Sequence, residues 1–136
     1  MTYINVALRR LVTERAGYCC EYCLLAQADN FLPFEIDHII SEKHDGETTS
    51  DNLCLSCPSC NAFKGSDIGS LDRQTEQFTP LFNPRTQDWL DHFQLDGAVI
   101  VPQTAEGRVT VFLLRMNRAE QIIEREALLE LGRYPC

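Results

Sequence analysis

Residues 20–23 read C-E-Y-C, and residues 35–65 read E-I-D-H-I-I-S-E-K-H-D-G-E-T-T-S-D-N-L-C-L-S-C-P-S-C-N-A-F-K-G. Cys20 with Cys23 and Cys57 with Cys60 are two C-x-x-C turns. Two residues between thiolates let one tight turn present both sulfurs to a single zinc at ~2.3 Å, and two such turns complete a tetrahedral shell. The pairs stand farther apart than the roughly 15–20 residues of a minimal zinc ribbon, so a structured segment must be clamped between them. A redox dithiol would follow a strand in a βαβ pattern, which neither pair does. Cys19 competes with Cys20 as first ligand, and Cys20 is preferred because it repeats the two-residue gap of the second pair. Cys54 reads as a small buried residue and Cys136 as a frayed end.

Working outward, Ile4, Ala7, Leu8, Leu11 and Val12 keep the spacing of a buried helical stripe, with Gly17 as its stop. Phe34–Ile39 alternates like a half-buried strand. Residues 41–52 form a polar loop, Leu53–Leu55 a short return strand, and Pro58 opens a helix that ends at Gly65. Residues 66–88 show little periodicity. Trp89–Leu95, Ala98–Val101 and Arg108–Leu114 read as strands, with a hairpin turn at Asp96-Gly97 and a weaker one at Glu106-Gly107. A last helix is expected from Asn117, capped by that residue with Glu120. Its apolar line is Met116, Ala119, Ile123 and Ala127. Arg115, Arg118, Arg125 and Arg133 offset its glutamates in a salt-bridged face. Trp89, Phe93, Val99, Val101, Val111 and Phe112 are expected in the core. The fold class is α+β, with a site-bearing part over 1–66 and an extension over 67–136 packed on it as one compact domain.

The whole chain fits that reading. It has 136 residues, 44% apolar and 24% charged, which is the range of one globular domain. No apolar run approaches the ~18 residues of a membrane span. Seven cysteines are an odd count, against a secreted disulfide framework, so a reducing, cytoplasmic setting is expected. A net charge of −8 excludes a protein that coats nucleic acid by charge alone. A phosphate partner must be engaged locally, through bound cations that invert the field.

The clamped segment carries chemistry. His38 suits a general base, since an unperturbed imidazole titrates near pH ~6.5. Asp37 offers a hard oxygen to a divalent cation, and Asn61 a neutral one from the facing helix. Such a cation stabilises charge on a scissile phosphate and its leaving oxygen. Lys64, His44 and Lys43 are candidate phosphate contacts.

In this order the motifs resemble the HNH endonuclease family of the ββα-metal fold. The resemblance implies a two-stranded hairpin and a helix around one catalytic cation, braced by the zinc knuckles. It assigns His38 as the base, Asp37 and Asn61 as ligands of the catalytic cation, and Asn52 as the residue that ties down the loop and orients the base. The set here is H-N-N rather than H-N-H, and the loss of an imidazole ligand favours Mg²⁺ or Mn²⁺. Many members carry glycine where Asp45 stands. The second half resembles extensions on some HNH proteins, through L-F-N-P-R-T-Q-D-W and G-R-V-T-V, and implies no separate chemistry. The resulting expectation is hydrolysis of phosphodiester bonds in DNA, with Zn²⁺ as a structural cofactor and no membrane partner. A homodimer or protein partner is compatible with the chain. The alternative is a non-catalytic zinc-stabilised module that binds nucleic acid or protein.

Overall fold

The computed structural model describes residues 2–136. Helix α1 (Val6–Arg15) is capped by Asn5, whose side chain accepts from Leu8 N at 2.8 Å. A cap of this kind contributes about 1 kcal/mol. Ile4 and Val12 are buried against Leu53. Leu11 and Ala7 of the expected stripe face solvent, because the helix starts only after Ile4. Strands β1 (Glu35–His38) and β2 (Leu53–Ser56) pair antiparallel, with Asp37 opposite Cys54 and His38 opposite Leu53. Helix α2 (Pro58–Lys64) follows, with Cys57 as its N-cap and Gly65 beyond its end at φ +51°. Between β1 and β2 the loop contains two single turns of 3-10 helix, Glu42–His44 and Ser50–Asn52. Asp45 closes the first at φ +64°. Glycine adopts that left-handed conformation freely and aspartate better than most residues, which accounts for either residue at this point of the loop.

The second half departs from the pattern reading in four places. A hairpin of β3 (Gly69–Asp72) and β4 (Gln77–Pro80) occupies the stretch expected to be irregular. Its buried positions are Asp72 and Thr79, while Leu71 and Phe78 face solvent, so apolar alternation could not reveal it. Trp89–His92 is a one-turn helix, α3, rather than the start of a strand. β5 (Phe93–Asp96) and β6 (Val99–Pro102) then pair about Asp96-Gly97 as expected, with Gly97 at φ +58°.

The third departure is Arg108–Leu114, which lies in a helix, α4 (Ala105–Leu113), and not a strand. Thr104 caps it, accepting from Gly107 N at 3.0 Å. Gly107 packs on the His92 carbonyl so closely that a Cβ would collide with that oxygen. The buried Thr110 hydroxyl donates to Glu106 O at 2.6 Å and accepts from Phe82 N at 2.8 Å. These tertiary partners override the extended preference of Val109-Thr110-Val111-Phe112. Phe112 and Val101 are exposed rather than in the core, whereas Phe93 is fully buried.

The fourth concerns α5 (Ala119–Glu130), whose N-cap is Arg118 and not Asn117. The Asn117 amide is used on β6, accepting from Ile100 N at 3.0 Å and donating to Ile100 O at 2.8 Å. Arg125 takes the inward position of α5, donating to Ala98 O at 2.7 Å and Asn117 Oδ1 at 3.0 Å. Ile123 and Ala127 consequently face out. The expected salt-bridged face does not form among the described residues: Arg133 pairs with Asp29 at 3.1 Å, and Arg115 and Arg118 stack over Phe63. One apolar cluster runs from the cysteine knuckles through Phe82, Phe93, Ile100 and Val109 to Met116 and Tyr134. Among the described residues no helix is long and apolar enough to cross a membrane.

Candidate metal centres and active site

The two C-x-x-C turns meet. Cys20, Cys23, Cys57 and Cys60 are buried and their sulfurs lie within 4.8 Å of one another. Cys23 Sγ and Cys57 Sγ are 3.7 Å apart, close to the ~3.8 Å edge of a tetrahedron with 2.3 Å zinc–sulfur bonds. Each turn is closed by a backbone N–H donating to its first sulfur: Cys23 N to Cys20 Sγ at 3.5 Å, and Cys60 N to Cys57 Sγ at 3.4 Å. Contacts with Cys20 push the Cys23 and Cys60 thiols well above their ordinary pKa, since four buried sulfurs cannot all carry charge without a cation among them. This donor set is compatible with a structural zinc.

The second half braces the first knuckle through its carbonyls. Trp89 Nε1 donates to Tyr22 O at 2.8 Å, and the Tyr134 hydroxyl donates to Cys23 O at 2.7 Å. Arg85 pairs with Glu21, whose other oxygen accepts from Leu55 N at 2.8 Å. Cys136 is not frayed: it is disulfide-bonded to Cys19, and its N–H donates to Leu24 O at 2.9 Å. The Cys19 sulfur is turned to Cys136 and stands outside the four-cysteine group. Cys54 is buried beside the Tyr22 hydroxyl.

The clamped segment sets Asp37 and His38 at the end of β1. They leave the strand in different directions, as alternation requires. The His38 ring turns toward the loop, with Nε2 2.9 Å from Thr48 Oγ1 and 3.9 Å from Glu42 Oε1. Its Nδ1 has no hydrogen-bond partner among the described residues. Asp37 turns toward α2, where Lys64 Nζ lies 3.0 Å from Oδ2. Burial pushes the Asp37 carboxyl above the usual carboxylate range, with Lys64 opposing the shift.

Lys64 is therefore not displayed as a phosphate contact. Its side chain is 1% exposed, and it donates to His38 O at 2.9 Å. A seven-residue helix between a metal knuckle and β1 leaves its last turn facing the sheet. Lys43 and His44, in contrast, are exposed on the loop.

Asn52 is used entirely on backbone. Its Nδ2 donates to Ile40 O at 2.9 Å and Glu47 O at 2.8 Å, and its Oδ1 accepts from Ile40 N at 2.9 Å. Three bonds from one amide pin both ends of the loop that carries Thr48. The Asn61 side chain, half-buried on α2, makes no hydrogen bond among the described residues.

Two neighbours of His38 and the setting of Lys64 escaped the pattern. Thr48, one of two adjacent threonines in a polar loop, carries no signal of its own. Glu42 lies four residues from His38 but opens a separate 3-10 turn, so no shared helix announces the pair. Lys64 was visible, but its burial was not.

The donors fit a divalent cation in part. Asp37 Oδ2 is buried with no well-directed hydrogen bond, and the Asn61 amide has a free oxygen. The Lys64 ammonium stands against the same Asp37 oxygen.

Part of the chain matches a known family. Residues 20–67 match the HNH endonuclease family. This segment is an HNH domain. Its limits enclose both cysteine pairs, the β1–β2 hairpin and α2. No curated protein and no solved structure matches the chain. The HNH family is of nuclease type, and the part of the chain after residue 67 lies outside the match.

Proposed function

We propose that this chain is a metal-dependent HNH endonuclease that hydrolyses phosphodiester bonds in DNA. One observation carries the reading. In an HNH segment, the His38 ring is held through Nε2 by Thr48 on a loop stapled by Asn52, and its Nδ1 is left without a partner. That is the arrangement a general base needs, with one nitrogen fixed and the other available to a water molecule.

In this mechanism His38 Nδ1 takes the proton of the attacking water, and Thr48 fixes the ring's orientation through Nε2. Asn52 is a positioning residue, because its polar atoms are spent on Ile40 and Glu47. Asp37 and Asn61 would hold the divalent cation, Mg²⁺ or Mn²⁺. When bound, it supplies charge stabilisation for the phosphate and the leaving oxygen. Lys43 and His44 stand exposed on the loop, where they serve as phosphate contacts. The four cysteines hold Zn²⁺ for structure only. The same reading includes a cytoplasmic setting: reducing conditions keep the knuckle thiols available to metal and open Cys19–Cys136 without touching a ligand.

The test is plasmid nicking by the parent and by His38→Ala, side by side, with Mg²⁺ or Mn²⁺ and with chelator. Metal-dependent cutting that the variant loses supports the reading. Equal cutting by both moves the base elsewhere. One observation favours a second reading, a zinc-stabilised binding module without catalysis: the Lys64 ammonium already neutralises Asp37. DNA binding by the parent without cutting under any divalent metal would favour it.

A further inference from the structure

Two arginines outside the HNH segment are placed against it with no carboxylate to answer their charge. Arg115 Cζ lies 5.4 Å and Arg118 Cζ 4.5 Å from the ring centroid of Phe63, on the α2 helix that carries Asn61. Stacking of this kind holds a guanidinium flat while its N–H groups stay free to meet oxygen acceptors. Neither arginine has a salt-bridge partner among the described residues. Arg118 Nη2 reaches only the Ser59 hydroxyl, at 3.4 Å, and its Nε is buried with no acceptor.

Arg115 is exposed and sits just beyond the end of α4 at φ +49°. Glycine is usual at that place, and a side chain there is sterically disfavoured. The strain directs a long cationic side chain over α2 where glycine would direct none.

We propose that Arg115 and Arg118, stacked on Phe63, form a platform that binds the phosphate backbone of the DNA substrate beside the HNH site. The proposal rests on the nuclease reading above and adds a surface from the extension to it. Asn61 and Phe63 flank the exposed Ala62 on α2. A strand lying along the outer surface of that helix passes the Asn61 side and then the two guanidinia. Guanidinium forks match phosphate oxygens, with two parallel N–H donors each. In a chain of net charge −8, such a local pair supplies the attraction that overall charge does not. Contacts to phosphate set register and affinity without reading sequence.

The experiment measures binding of a fluorescein-labelled mixed-sequence DNA duplex at several salt concentrations. It uses His38→Ala protein as the parent, so that the probe is not cut. Arg115→Gln and Arg118→Gln are added singly and together, with Arg10→Gln on exposed α1 as control. Each neutralised phosphate contributes about 0.9 to the slope of log K against log salt. The double variant is expected to lose about 2 from that slope and to bind roughly tenfold or more weakly at low salt. Arg10→Gln should leave both unchanged. Zinc content and melting temperature of each variant establish that it is folded. Should Arg118→Gln fail that check, Arg115→Gln alone must lower the slope by about 1. Parental slope and affinity in the folded variants overturn the platform and leave the nuclease reading standing. No DNA binding by the parent, with or without Mg²⁺ or Mn²⁺, overturns both.

Discussion

Replacing Asn52 tests whether one amide holds the loop between β1 and β2. Asn52→Ala removes three hydrogen bonds, two donated to Ile40 O and Glu47 O and one accepted from Ile40 N. At about 1 kcal/mol net for each, the loss is about 3 kcal/mol. For a chain of 136 residues, with unfolding entropy of about 2 cal/mol/K per residue, that lowers the melting temperature by roughly 10 °C. Asn52→Asp is the sharper variant. It keeps the size and the acceptor for Ile40 N, yet sets carboxylate oxygen against the carbonyls of Ile40 and Glu47. It loses two bonds and adds repulsion, so it should destabilise at least as much as alanine despite its closer shape. Both variants should keep zinc, because the knuckles do not touch Asn52, and both should lose cleavage, because Thr48 is released from His38. The assay is calorimetric melting, joined to amide exchange across residues 39–52. An Asn52→Ala protein that melts within about 2 °C of the parent, with loop amides still protected, would refute the stapling argument.

Lys64→Met should leave Asp37 buried without its counter-charge and cost about 3–5 kcal/mol, and combining it with Asp37→Asn should recover part of that loss in urea titrations. Stability attributable to Asp72 should depend on pH. The Arg108 guanidinium bonds it at 2.8 and 2.9 Å and holds its carboxyl well below the usual range. Its contribution is therefore present above the unfolded value of about 3.9 and is lost as pH falls toward the depressed one. Asp72→Asn should flatten the acid side of a melting profile taken between about pH 2 and 5. Cys57→Ser should drop zinc from about one per chain to near none and unfold at lower denaturant; full retention of zinc by that variant contradicts the four-cysteine assignment.

The HNH segment could be read from the chain because its signals are local. Two residues between cysteines, an alternating Phe34–Ile39, a polar loop and Pro58 at a helix start each describe a few neighbours, and the hairpin and α2 formed where they pointed. Asp96-Gly97 made its turn for the same reason. The second half resisted because its elements are chosen by distant partners. Val109-Thr110-Val111-Phe112 is extended by preference and helical by packing, since Gly107 must fit under the His92 carbonyl and Thr110 must meet Phe82. The β3–β4 hairpin buries Asp72 and Thr79 for Arg108 and α4, which no apolar period announces.

The candidate site divides along the same line. Cys20, Cys23, Asp37, His38, Asn52, Cys57, Cys60 and Asn61 are candidates by residue type, by spacing and by the resemblance to HNH sequences. Their surroundings were decided by tertiary structure. It put Thr48 on His38 Nε2, buried Lys64 against Asp37, closed Cys19 on Cys136, and laid Arg115 and Arg118 over Phe63. The physical reason is range. A turn or a ligand spacing is satisfied within a few residues of backbone. A buried charge or an unmet donor is satisfied only by whatever side chain the fold brings alongside it.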